Sequence, residues 1–223
     1  GSSTLTSNTA NSNSNYGIYL YSSGSSTLTN NVMAGNGTNF CIFGSYNNTI
    51  DTTNTVEGKP VYYLYGVSNQ TYDGGVVGDI GMFWCINCTN VTVKNATLSI
   101  NNNIGVFLRN TSSSTIQNVT ANSNHYGIYL FSSASNTLTS NTANSNFYGI
   151  YLFSSGSSTL TSNTANSNFY GIYLSSSASS TLTSNTANSN YYGIYLSSSA
   201  SSTLISNTAN SNYYGIDLFF SGS

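Results

Sequence analysis

The chain has 223 residues, of which only eight are Asp, Glu, Lys or Arg, and its formal net charge is -2. Three Lys and Arg side chains cannot track a phosphate backbone, which excludes a nucleic-acid role, and no apolar run of about 18 residues is present to span a membrane. A hydrophobic fraction of 38% with 19 Tyr and 10 Phe excludes a disordered chain.

Residues 1–30 open with a short unit that recurs. Thr4-Leu5-Thr6 returns as Thr27-Leu28-Thr29, and Gly17-Ile18-Tyr19-Leu20 lies between them. One inward Leu flanked by Thr, and aliphatics alternating with Tyr, carry the period of two that marks a half-buried strand. The intervening Asn, Ser and Gly are turn formers.

Residues 31–104 are irregular. This segment holds Asp51, Glu57, Lys59, Asp73, Asp79 and Lys94, together with Trp84 and Pro60. Interruptions of a regular scaffold are where function concentrates, although a coil also tolerates plain insertions. Cys41, Cys85 and Cys88 lie here as well. Cys85-Ile86-Asn87-Cys88 is a CxxC without a second pair or His cluster, so it is not a zinc site. The three thiols read either as small buried hydrophobes or as one disulfide plus a free thiol, with the pairing open. Eight Asn-x-Ser/Thr sequons, at Asn36, Asn47, Asn69, Asn87, Asn90, Asn95, Asn110 and Asn118, fall in or beside this segment. In a secreted protein a few of them are expected to carry glycans.

From 105 to 223 the repeat is regular. Gly105, Gly127, Gly149, Gly171, Gly193 and Gly215 recur every 22 residues, and Ile116, Leu138, Leu160, Leu182 and Leu204 keep the same period. No stretch has helical periodicity. One unit offers two short strands, Gly149-Ile150-Tyr151-Leu152 and Thr159-Leu160-Thr161, with a weaker third near Thr164-Ala165. Its few inward aliphatics cannot fold alone, but stacked units can bury one another. The prediction is an all-β parallel β-helix of coils of about 22 residues, spanning 1–223 as a single domain. Stacking brings identical residues together at about 4.8 Å. Ile18, Ile128, Ile150 and their equivalents would form an inner column, and Tyr19, Tyr129, Tyr151, Tyr173 and Tyr195 an outer one. The facing of Tyr148 and its equivalents stays open, because the following Gly can bend the strand.

The repeated Tyr-Gly-Ile-Tyr-Leu with Thr-Leu-Thr-x-Asn, and the stretch Cys85-Ile86-Asn87-Cys88-Thr89-Asn90-Val91-Thr92-Val93, resemble the pectin-lyase-like right-handed β-helix repeats. More narrowly, they resemble the NosD-like repeat proteins of archaeal cell surfaces. The resemblance covers nearly the whole chain and implies one continuous solenoid in an extracellular protein. The polygalacturonase branch of that family uses Asp pairs with Gly-His-Gly and Arg-x-Lys strings, none of which occurs here. Arg109 stands alone beside Asn110, with no clustered acids for a pectate-lyase site. The copper role in the family's name needs His, Met or Cys clusters. His125 instead takes the place that Phe147, Phe169 and Tyr191 hold in later repeats, so it reads as one member of an aromatic column. The expectation is therefore no enzyme, no cofactor and no metal.

Neither terminus looks like a capping unit, and Gly1 placed after Ser223 nearly restores the repeat. Leu5 at one end and Ile216, Leu218, Phe219 and Phe220 at the other then suggest head-to-tail self-assembly into a filament, sheath or surface layer. A nearly uncharged surface does little to oppose such association. The alternatives are a fragment of a larger adhesin or a glycan-binding surface module that uses the Tyr column. The paired Thr files at 4–6, 27–29, 137–139, 159–161 and 181–183 also fit an ice-binding surface, a weaker reading because Asp51, Gln117 and Ile205 break the second file.

Overall fold

The computed structural model describes residues 1–98 and 100–222. Its first coil comprises β1 (Thr4–Thr6), β2 (Thr9–Asn11) and β3 (Tyr16–Tyr21). The second comprises β4 (Thr27–Thr29), β5 (Val32–Ala34) and β6 (Thr38–Phe43), and the third only β7 (Thr49–Ile50) and β8 (Thr55–Val56). Then follow β9 (Lys59–Tyr65), β10 (Ser68–Asp73), a single helical turn α1 (Gly74–Val77), β11 (Met82–Ile86), β12 (Thr89–Thr97), β13 (Ile104–Arg109) and β14 (Thr115–Thr120). The regular repeats contribute β15 (Tyr126–Phe131), β16 (Thr137–Thr139), β17 (Tyr148–Phe153), β18 (Thr159–Thr161), β19 (Tyr170–Ser175) and β20 (Thr181–Thr183). They end with β21 (Tyr192–Ser197), β22 (Thr203–Ile205) and β23 (Tyr214–Phe219).

The fold is the parallel β-helix that the repeat predicts. Successive coils pair parallel and in register, Ile128 on Ile150, Ile172 and Ile194, and Leu138 on Leu160, Leu182 and Leu204. From Ile128 through Ile194 these Ile and Leu side chains are fully buried, each worth about 1.5–3 kcal/mol of burial. The weak third strand reduces to single bridges, Thr142 to Thr164 to Thr186 to Thr208, beside buried Ala143, Ala165 and Ala187. Corners turn through residues in the left-handed region, mostly Ser, as at Ser140 (φ 55°) and Ser162 (φ 55°). Inside the corner after each Thr-Leu-Thr strand an Asn amide satisfies the backbone. Asn163 Nδ2 donates to Leu138 O and to Asn185 Oδ1, both at 2.9 Å. The same pattern repeats at Asn141 and Asn185, so buried backbone carbonyls are satisfied coil after coil.

The irregular segment contains a reversal. Glu57 (φ 49°) and Gly58 (φ 74°) form a two-residue hairpin turn with both φ positive, so β8 pairs antiparallel with β9, Val56 opposite Lys59. One eleven-stranded sheet therefore runs β2-β5-β8-β9-β11-β13-β15-β17-β19-β21-β23, parallel on both sides of this one junction. Parallel crossovers keep one hand. Reversing strand direction while the coils keep advancing moves the interior to the opposite face of the shared sheet. The cores obey this geometry. Val61, Tyr63, Met82, Trp84, Ile86, Ile104 and Phe107 join the core of the first stack. Their alternating neighbours Phe83, Cys85, Val106 and Leu108 join the core of the second. Strands β9, β11 and β13 are thus buried on both faces, and the first stack lies over the outer surface of the second.

Candidate functional site

Outward-facing residues of the shared sheet form files along the solenoid. One file runs Trp84, Phe107, Tyr129, Tyr151, Tyr173, Tyr195, with ring centroids 4.7–5.3 Å apart. A second runs Tyr126, Tyr148, Tyr170, Tyr192, Tyr214 at 4.8–5.0 Å. The open question of Tyr148 resolves outward. Gly149 and Ile150 are both buried, which breaks the alternation, and the Tyr148 ring stacks on Tyr151 at 5.0 Å. Glycine is required at this step: a Cβ on Gly149 would come within 2.6 Å of Gly171 O. His125 caps a third file, stacked on Phe147 at 5.2 Å, and burial lowers its pKa. Within the files the rings cover each other's faces and present mainly edges and hydroxyls to solvent.

The first stack covers these files at β9, β11 and β13 and releases them at β15. At that boundary lies a cleft of about 350 Å³. Ile42, Phe43 and Tyr46 form the wall from the first stack, and Phe107, Tyr126, Tyr129 and Phe131 the wall from the second, with Asn103 and Arg109 between them. Arg109 follows Ile86 and precedes Phe131 in its file, which places its guanidinium 4.5 Å from the ring centres of both Tyr46 and Phe131. This is cation–π packing from two sides. Among the described residues the one salt bridge is Lys94 to Asp73, so no carboxylate neutralises Arg109. No carboxylate lines the cleft either. Tyr46 is fixed from beneath by Tyr63, whose hydroxyl donates to Tyr46 O, and burial raises the pKa of the Tyr46 phenol. Trp84 supports the floor and donates from Nε1 to Ile104 O at 2.9 Å.

Cys85 and Cys88 are bonded to each other as a disulfide inside the second core. Cys41 is free and buried. Burial pushes its thiol up to about 11, with Asn103 Nδ2 donating to its Sγ. Of the sequon residues, Asn36 is buried and the other seven are exposed. Leu5 is half-buried, whereas Ile216, Leu218, Phe219 and Phe220 are exposed on or just after β23. Among the described residues no group of three or more His, Cys, Asp or Glu could hold a metal, and no helix is long and apolar enough to cross a membrane. Sequence reasoning set Arg109 aside as an isolated cation. The signal it lacked was the pairing of two stacks, which brings Tyr46 against it.

A family model described as the right-handed beta helix region matches residues 81–223. The chain belongs to the right-handed β-helix family. No curated protein matches this β-helix in sequence. Among solved structures it is similar to the A-module of the mannuronan C-5 epimerase AlgE6 of Azotobacter vinelandii, at 11% identity. That alignment covers 100% of this chain and 90% of the other, with a TM-score of 0.39.

Proposed function

We propose that this right-handed β-helix is a glycan-binding module of an extracellular surface protein, and that it binds without turnover. The observation that carries the reading is the cleft between the two stacks: aromatic walls, amide and hydroxyl edges, and one uncompensated guanidinium. Aromatic surface packs against the C–H faces of sugars, while Asn103 and Arg109 supply directional donors. A guanidinium accepts a carboxylate bidentately, which favours an acidic sugar at that point. Hydrolysis of a glycoside needs two carboxyl groups flanking the bond, and the cleft is lined by none. The disulfide and the exposed sequons favour an exported protein. The solenoid itself is a rigid spacer that presents the cleft.

Calorimetric titration with neutral and uronic-acid oligosaccharides tests this. Saturable binding should weaken roughly 10- to 100-fold in Arg109→Ala, the loss expected of one charged hydrogen-bonding partner, with the far-ultraviolet spectrum unchanged. No binding of any glycan at millimolar concentration would overturn the reading. Filament assembly is a second reading, drawn from the unpaired edges of β22 and β23 with Ile205, Leu218, Phe219 and Phe220 exposed beside them. A further coil of the same chain would cover those edges as well as a second copy would, so the cleft is the stronger basis.

A further inference from the structure

The eight sequons are not equivalent. Six of them sit at left-handed corners of the coils from 66 to 118, with φ of 57° at Asn69, 55° at Asn87, 54° at Asn90, 53° at Asn95, 48° at Asn110 and 51° at Asn118. Corner geometry alone accepts Asn, and Ser fills the same corners in the regular repeats, as at Ser132 and Ser140. The asparagines stack in pairs on adjacent rungs. Asn90 Nδ2 donates to Asn69 Oδ1 at 2.8 Å, Asn110 Nδ2 to Asn87 Oδ1 at 3.1 Å, and Asn118 Nδ2 to Asn95 Oδ1 at 2.9 Å.

N-glycosylation uses Nδ2 as the nucleophile, so the partner of that atom matters. Asn95 Nδ2 is held by Asp73 Oδ1 at 3.0 Å, and Asn47 Nδ2 by Ser25 Oγ at 3.0 Å. Asn36 is buried and donates to Ala10 O and Asn39 Oδ1. In Asn69 and Asn87 the amide oxygen accepts a hydrogen bond from the next rung, while among the described residues neither Nδ2 donates one. Each is exposed, and each is followed two residues later by an exposed Thr, Thr71 and Thr89.

The structure assigns Asn69 and Asn87 as the two N-glycan acceptors of the folded chain, with Asn90 and Asn110 as their braces. In the transfer, Nδ2 attacks C1 of the reducing-end sugar of a polyprenyl-diphosphate-linked oligosaccharide. The N–C1 bond forms, the C1–O bond to phosphate breaks, the diphosphate leaves with the electron pair, and one amide proton passes to base. Rungs lie about 4.8 Å apart, so a glycan on one rung occupies the space over the next. The glycan on Asn87 would stand on the rim of a polar hollow that Asn87, Asn110, Asn47 and Arg109 line together, beside the mouth of the cleft.

The test treats the purified, folded, unglycosylated chain with a single-subunit oligosaccharyltransferase and a polyprenyl-diphosphate oligosaccharide, followed by glycopeptide mapping. The expected result is modification at Asn69 and Asn87, with Asn90 and Asn110 at least tenfold lower and Asn36 unmodified. Asn87→Ser, which places the residue found at the equivalent repeat corners, should remove one glycan and leave Asn69 occupied. Equal or higher occupancy at Asn90 or Asn110, or a folded chain modified at neither Asn69 nor Asn87 while the heat-unfolded chain is modified, would overturn the assignment.

Discussion

At the scale of single residues the molecule depends on neutral amides where other proteins use charge. Asn163 shows how much one side chain carries. Its Oδ1 accepts from the backbone and side-chain nitrogens of Asn141, and its Nδ2 donates to Leu138 O and Asn185 Oδ1. Asn163→Ala leaves several buried polar groups without partners and should cost about 3 kcal/mol, read as a fall in denaturant midpoint. Asn→Ser at an exposed corner such as Asn95 should change stability by less than about 0.5 kcal/mol. Asp73 is a contrasting case. Hydrogen bonds from Asn95 and Gly75, together with Lys94, hold its carboxyl below the usual range, yet it braces one exposed corner and no core.

At the scale of elements, the strands are short and their strength lies in the files they stack into. The tyrosine files make a pH prediction. Burial, then neighbouring Tyr148 and Tyr192, push the Tyr170 phenol up to about 12, against an ordinary value of 10.0, and Tyr129 and Tyr151 are raised further by burial. The folded state therefore holds these protons longer than the unfolded chain. Their stabilising effect is whole below pH 10 and is lost as pH rises toward and past about 12. Phenolate absorbance should show a delayed class of tyrosines that ionises together with loss of β signal, whereas simple sequential ionisation in an intact fold would contradict it. Much of this level was legible in advance. A period of 22 places like on like, and Leu138, Leu160 and Leu182 lie where the spacing puts them. The facing of Tyr148 was not legible, since only the neighbours at Gly149 fix the break in alternation.

At the scale of the whole molecule, the junction between the stacks creates both the site and its main vulnerability. Trp84 is fully buried between Phe40, Tyr46, Tyr63 and Phe107. Trp84→Ala should cost about 3–5 kcal/mol, and a chain lacking residues 1–58 should aggregate, because Met82, Trp84, Ile86 and Phe107 would face water. In the intact chain, a red shift of Trp84 emission should report separation of the stacks, and it should coincide with loss of glycan binding. The reversal behind this arrangement was poorly legible. Glu57-Gly58 is a weaker turn signal than Asn-Gly or Asp-Gly. A clue was nevertheless present in Met82-Phe83-Trp84-Cys85-Ile86, an unbroken apolar run of the kind that marks a strand covered on both sides. Arg109 gained its meaning only when that covering brought Tyr46 against it.

The hairpin at Glu57-Gly58 also dictates an order of events during synthesis. When residue 58 leaves the ribosome, residues 1–58 of the first stack are made but open along the side that Trp84 and Phe107 will close. Phe40 meets its partner 44 residues later, and Asn39 N waits for Asn101 O, 62 residues on. The nascent chain must therefore hold an unfinished core while the next five strands, β9 to β13, emerge, whereas every later coil can dock on a finished one as soon as it is made. The slowest step in folding these coils should be closure of the first stack, and the regular repeats should follow quickly.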